Sequence, residues 1–180
     1  MKLPTLGTLT SLPVTEHPEL LAPSVAEALA SWEYAARVAV VEIDPELADT
    51  AACSAAYDLP LHAGANCVVV MGKRAGDERI AACVVRADTR ADVNNVVKRL
   101  LDVRKASFHS YDRAVAESGM EYGGITPVGL PAEWRVLLDA ACVDIQVAVI
   151  GSGLRRSKLL LAGADLARLP GVEVVEGLAR

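Results

Sequence analysis

Metal-ligand clusters, aromatic side chains, long apolar runs and positive charge are all scarce in this sequence, and each scarcity narrows what the chain can do. The four cysteines, Cys53, Cys67, Cys83 and Cys142, form no C-x-x-C, and His17, His62 and His109 do not bracket them at ligand spacing. No metal site and no cofactor is therefore expected. Cys67 and Cys83 lie within apolar runs and read as buried, reduced thiols. Aromatics make up 4% of residues, with Phe108 the single phenylalanine, so a platform stacking several bases is not expected. Apolar runs such as Cys67 to Met71 fall far short of a bilayer span, and the opening MKLPTLGTLT lacks the apolar region of a secretory signal. These features predict a cytoplasmic protein with no membrane partner. A net charge of −5 argues against DNA and against any grip on nucleic acid through bulk electrostatics. Docking on one end of an RNA through a small basic patch stays open.

What is present is a globular chain. Its 180 residues are 52% hydrophobic and 23% charged, which suits one domain, or one domain with an appendage. Residues 1–35 read as a proline-punctuated arm leading into a short helix from Pro23 to Trp32, and 36–180 as the main domain. Strands are predicted over Arg37–Ile43, Ala65–Met71, Arg79–Arg86, Trp134–Asp139, Ile145–Ile150, Ser157–Leu161 and Val172–Val175. Residues 72–77 read as the loop of a hairpin. Helices are predicted from Pro45 through the alanine-rich segment to Leu59, over Arg90–Leu101 with Asp88 as its cap, and from Asp112 to Gly119, with a helical turn at Ala164–Leu169. The order lacks strict βαβ alternation. It predicts an α+β fold, a central mixed sheet with flanking helices, in which Ala65–Met71, Arg79–Arg86 and Ile145–Ile150 share that sheet.

Two glycine-marked stretches invite a functional reading. In Gly151-Ser152-Gly153-Leu154-Arg155-Arg156, Arg156 occupies the third glycine position of a dinucleotide fingerprint, and Gly153 is not followed by the Lys-Ser/Thr of a phosphate loop. A tight turn is the plainer reading. Arg155, Arg156 and Lys158 read as a solvated basic face, with an anionic partner as the alternative. The second stretch, MEYGGITPVGLP from Met120 to Pro131, combines three glycines with two prolines. Adjacent glycines bare backbone N–H groups and Pro127 rigidifies the exit, which suits a site built from backbone donors. A helix stop followed by a loop is the structural alternative.

Taken in order, these stretches resemble the YbaK/prolyl-tRNA editing family. Ala65–Val70 is similar to its first central strand, Asp92-Val93-Asn94 to the start of the following helix, and Gly123-Gly124-Ile125-Thr126-Pro127 to its glycine-glycine-x-(Ser/Thr)-Pro signature. Leu138-Asp139 is similar to its strand ending in aspartate, and Gly151-Ser152-Gly153 to its late glycine turn. The resemblance implies an aminoacyl-tRNA deacylase that hydrolyses the ester of mischarged tRNA. Its partners would be the tRNA 3′ end and an aminoacyl-tRNA synthetase. By the same resemblance, Asn66, Gly123, Gly124, Thr126 and Asp139 would carry the chemistry. Pro127, Gly151, Ser152, Gly153, Arg155, Arg156 and Lys158 would bind substrate. Most members of the family carry a lysine on the first central strand, where this chain has Asn66. The alternative is a non-catalytic protein of the same fold that binds an aminoacyl-tRNA or a nucleotide-like ligand.

Overall fold

A two-residue turn at Ala75-Gly76, both with positive φ (51° and 94°), folds the longest strands back on each other. Such a turn matches the twist of the paired strands. It lets strands β3 (Ala65–Arg74) and β4 (Asp77–Arg86) pair over their whole length, from Ala65 opposite Arg86 to Arg74 opposite Asp77. The predicted loop at 72–77 is thus mostly strand. This computed structural model describes residues 2–180.

The hairpin is the centre of a five-stranded sheet ordered β5-β3-β4-β6-β9. Here β5 is Ala106–Phe108, β6 Arg135–Asp139 and β9 Val172–Val175, the last two running parallel to β4. A second sheet of four strands has the order β1-β2-β8-β7, from Leu12–Pro13, Ala39–Glu42, Ser157–Leu161 and Ala148–Gly151, all antiparallel. The expected α+β class holds. The expectation that the strand ending near Ile150 joins the sheet of β3 and β4 does not: it lies in the second sheet, and a bridge between Gly64 and Val149 links the two.

Period-2 alternation fills the three larger of four cores among the described residues, the smallest being Val69, Ala114 and Trp134. Val40, Leu159 and Leu161 of the second sheet meet Ala65, Val84 and Leu138 of the first, sealed by α1 (Pro23–Ala30) through Val25 and Leu29. The far face of the five-stranded sheet packs Val70, Cys83 and Leu137 against Val97 and Leu101. The far face of the four-stranded sheet packs Ala39, Val41 and Leu160 against Cys53 of α2 (Thr50–Ala56) and Leu59.

Helix starts differ from expectation for identifiable reasons. Asp44 caps a separate 3₁₀ turn at Pro45–Leu47, so α2 begins only at Thr50, where the Asp49 carboxylate accepts from the Ala51 and Ala52 N–H groups. Asp88 forms an ion pair with Arg86, and Asp92 instead caps a π-turn, Val93–Val97, that runs into α3 (Lys98–Leu100). Helix α4 (Tyr111–Ser118) starts one residue before Asp112 and ends at Gly119, φ 68°. A last short helix, α5, spans Gly163–Leu166. The arm is knit into the fold: Leu12 and Pro13 pair with Val40 and Ala39, and Val14, Leu20, Leu21 and Ala22 are buried.

Candidate functional site

Where the two sheets meet, a cavity of about 430 Å³ opens between β3 on one side and β7 and β8 on the other. Helix α2 forms one wall with Thr50, Cys53 and Ser54, and the glycine-rich stretch another with Tyr122, Gly123 and Ile125. The walls are largely apolar, with few polar groups, as small-molecule sites commonly are.

The most informative of those polar groups is Lys158. Alternation along β8 sends Ser157, Leu159 and Leu161 toward the main core and puts Lys158 on the face of Leu160, which α2 covers. Its neighbour on β7 is Gly151, which also lines the cavity and whose missing side chain lets the backbone of Gly124 and Ile125 pack directly against it. Lys158 is only 9% exposed. Its Nζ donates to the carbonyls of Ala48 (3.1 Å) and Gly123 (3.4 Å). Among the described residues no carboxylate forms an ion pair with it. Burial holds its pKa below the ordinary lysine value, partly offset by Cys53 and Asp49. The expectation of a solvated lysine is thereby corrected: an ammonium with three donors and two carbonyl partners borders an apolar cavity.

Asn66 lines the same cavity from β3. Its Oδ1 accepts from the Thr50 hydroxyl at 2.9 Å, which ties β3 to α2 and leaves the NH₂ of the amide for another partner. Gly123 is exposed, has φ 78°, and its N–H has no partner among the described residues. Gly124 differs from expectation: it is buried, its N–H donates to the Glu121 carbonyl (2.9 Å), and its own carbonyl accepts from Gly153 N–H (2.8 Å). A Cβ on Gly124 would come within 2.9 Å of three Leu154 backbone atoms. Its glycine is demanded by close approach of two loops rather than by a bared amide.

Several other expected site residues stand apart from the cavity walls. Ser152 is fully buried and closes its own turn, bonding Ser157 Oγ at 2.7 Å and the carbonyls of Ser157 and Leu154. Gly153, φ 83°, packs its Cα side on Ala22. Thr126 and Pro127 are buried, and Thr126 Oγ1 has no partner among the described residues. Asp139 accepts from Ala141 N–H (2.8 Å) and Ala179 N–H (2.6 Å), so it fixes the end of β6 to the C-terminal segment rather than holding the glycine loop. Of the arginines, Arg155 braces the cavity mouth, donating to the carbonyls of Tyr122 (3.1 Å) and Pro45 (2.9 Å). Arg156 turns away to the Glu19 carbonyl.

Sequence reasoning missed the contribution of α2, and it missed Phe108, Tyr111 and Tyr122, which border the mouth. His109 beside them is buried, bonded to Glu117 (3.1 Å) and packed edge-on against Trp134. Among the described residues, no cluster of three or more His, Cys, Asp or Glu is arranged to hold a metal ion. Nor is any helix among the described residues long and apolar enough to cross a membrane.

Comparison with solved structures fits this arrangement. A "putative trans-editing enzyme for prolyl tRNA synthetase" superposes with a TM-score of 0.72 at 18% identity, over 93% of this chain and 98% of that one. The "hypothetical protein APE2540" superposes with a TM-score of 0.69 at 19% identity, over 78% and 90% of the two chains. At such identities the likeness is one of fold. Residues 44–169, well over half of the chain and the stretch that builds every wall of the cavity, match the model of the aminoacyl-tRNA editing domain, and the chain belongs to that family.

Proposed function

We propose that this cavity hydrolyses the ester joining a wrongly attached amino acid to the 3′ end of a tRNA, with Lys158 as its cationic group. The observation that carries the reading is a buried ammonium, unpaired by any carboxylate among the described residues, at the wall of a cavity large enough for an aminoacyl group. An uncompensated buried charge is costly, so a fold that keeps one gains elsewhere. Water adds to the ester carbonyl, and the carbonyl oxygen takes on negative charge. The carbon–oxygen bond to the ribose then breaks, and the ribose oxygen leaves with the proton that water gives up. Lys158 and the Gly123 N–H supply donors for the oxyanion, where charge develops rather than where it starts. Asn66, held by Thr50, orients the ester or the ribose through its NH₂. The amino acid side chain rests against Cys53, Leu59 and Val149, which favours an uncharged aliphatic one.

Arg155 at the mouth is the basic group available to the terminal phosphate. Because the chain is acidic overall, the footprint is confined to the RNA end, and a synthetase is the protein partner that would deliver it. A cytoplasmic site of action follows from the same reading. The rival reading, a binder without hydrolysis, rests on Asn66 standing where most of the family has lysine. Lys158 brings a cation to the same cavity from another strand, which weakens that objection.

The test is a panel of mischarged tRNAs incubated with purified protein, with Lys158→Met alongside. Hydrolysis of at least one aliphatic ester is expected, with loss of about a hundredfold or more in the variant, the usual effect of removing an oxyanion donor. Wild-type protein that binds the panel but cleaves none of it would establish the rival. Undiminished hydrolysis by Lys158→Met would remove Lys158 from the mechanism.

A further inference from the structure

The sequence has two tryptophans, four tyrosines and one phenylalanine. Three of these seven rings, Phe108, Tyr111 and Tyr122, are exposed by 64%, 69% and 55%, and all three border the mouth of the cavity that Lys158 lines. Single exposed apolar residues are ordinary, whereas a cluster at a cavity mouth marks an interaction site. Tyr111 and Tyr122 meet edge-to-face with centroids 4.9 Å apart and planes at 85°, so a ring face stays open beside an edge. The supports are rigid. Phe108 ends β5, paired with Val70. His109 N–H donates to the Val69 carbonyl (2.8 Å), and its ring is pinned by Glu117 and Trp134. Tyr111 opens α4, and Tyr122 is held through its carbonyl by Arg155.

We infer that Phe108, Tyr111 and Tyr122 form a stacking site for one unpaired nucleobase, the 3′-terminal base of the RNA whose ester enters the cavity beneath. The inference rests on the editing reading for the identity of the RNA. Its physical basis is independent of hydrolysis. Aromatic faces bind unstacked bases whatever their sequence, and the adjacent cation, Arg155, suits the backbone that follows. The scarcity of aromatics elsewhere makes this a one-base site rather than a platform. Stacking at the mouth would hold the terminal ribose above Gly123 and Lys158, and so set the ester's depth in the cavity.

The test uses an uncharged RNA acceptor hairpin ending in CCA, labelled at its 5′ end, and a matched hairpin whose last nucleotide lacks its base. Fluorescence anisotropy gives the two affinities. Wild type is expected to bind the intact hairpin about 5- to 150-fold more tightly, the range one stacked base confers. Tyr122→Ala and Tyr111→Ala should erase most of that preference while binding the abasic hairpin as wild type does, and Tyr122→Phe should retain it. Thermal melting establishes that each variant is folded, and Phe108→Ala provides a further exposed site if one tyrosine variant is not. No preference for the intact end in wild type, or a preference unchanged in the alanine variants, overturns the inference. A synthetase that binds wild type but not the tyrosine variants, with no base preference, would assign the surface to a protein and also overturn it. Failure of hydrolysis leaves these binding ratios untouched, so the two readings fail separately.

Discussion

Lys158 shows how much a single alternation along a strand decides. The run Ser157-Lys158-Leu159-Leu160-Leu161 looks from sequence like the end of a basic cluster followed by an apolar strand. Because side chains alternate, Lys158 shares the face of Leu160, and α2 buries both. This burial has a pH signature. The native pKa lies below the unfolded value, which is about 10.4 for a free lysine. At neutral pH, where the unfolded chain is fully protonated, the native state bears the cost of desolvating the ammonium. Above the native pKa the native lysine sheds its proton first, so the unfolded state holds more protons and stability rises with pH. That gain is complete once the unfolded lysine has also titrated. Chemical denaturation of wild type and Lys158→Met from pH 7 to pH 10.5 should therefore show wild type gaining stability on the variant as pH rises. A constant difference would mean that the amine is solvated in the native protein.

At the scale of elements, Gly124 is explained by two loops packed backbone to backbone, and Gly123 before it by its positive φ of 78°. Glu121 N–H donates to the Gly153 carbonyl (2.8 Å) and Gly153 N–H returns a bond to the Gly124 carbonyl (2.8 Å). A Cβ on Gly151 would lie 2.3 Å from that same carbonyl oxygen. No side chain fits on either surface. Gly124→Ala must shift the Leu154 backbone, an overpacking that typically costs about 1–3 kcal/mol. Activity and melting temperature should fall together in this variant, with hydrolysis assayed and unfolding followed on the same preparation. A loss of activity at unchanged melting temperature would instead point to a direct role for its backbone in the site. The sequence makes the long, strongly patterned elements legible: β3, β4, β6, β8 and α4 all lie where alternation and the stop at Gly119 put them. It conceals β5, whose three residues are mostly exposed and carry no pattern, and it blurs α2, since Asp44 and Asp49 are both good caps only five residues apart. It also conceals the site. Nothing local tells that β7 leaves the sheet of β3, and the cavity exists because it does.

At the scale of the whole molecule, the arm joins the frame of the site. Ala22 N–H donates to the Ser152 carbonyl (3.1 Å), Ser157 Oγ donates to the Leu20 carbonyl (2.6 Å), and Arg156 reaches the Glu19 carbonyl. These contacts bracket the loop from which β8 carries Lys158 inward. The family match begins only at residue 44, yet the segment before it supplies β1, β2 and α1 to the second sheet and the main core. Arm and editing domain are therefore expected to unfold as one unit. The two tryptophans report on this from different places. Trp32 packs in the core that the arm seals and donates to the Arg168 carbonyl (3.3 Å), while Trp134 lies beside His109 near the cavity mouth. In single-tryptophan variants, Trp134→Phe and Trp32→Phe, fluorescence followed through urea should give coincident transitions with equal midpoints and slopes, the mark of two-state behaviour. If the arm were an appendage, the Trp32 signal would change at lower urea while Trp134 stayed native. Coincidence would mean that any loosening of the arm reaches Lys158 only through unfolding of the whole. Binding at the RNA end would then be reported equally by both tryptophans, as a shift of a single midpoint.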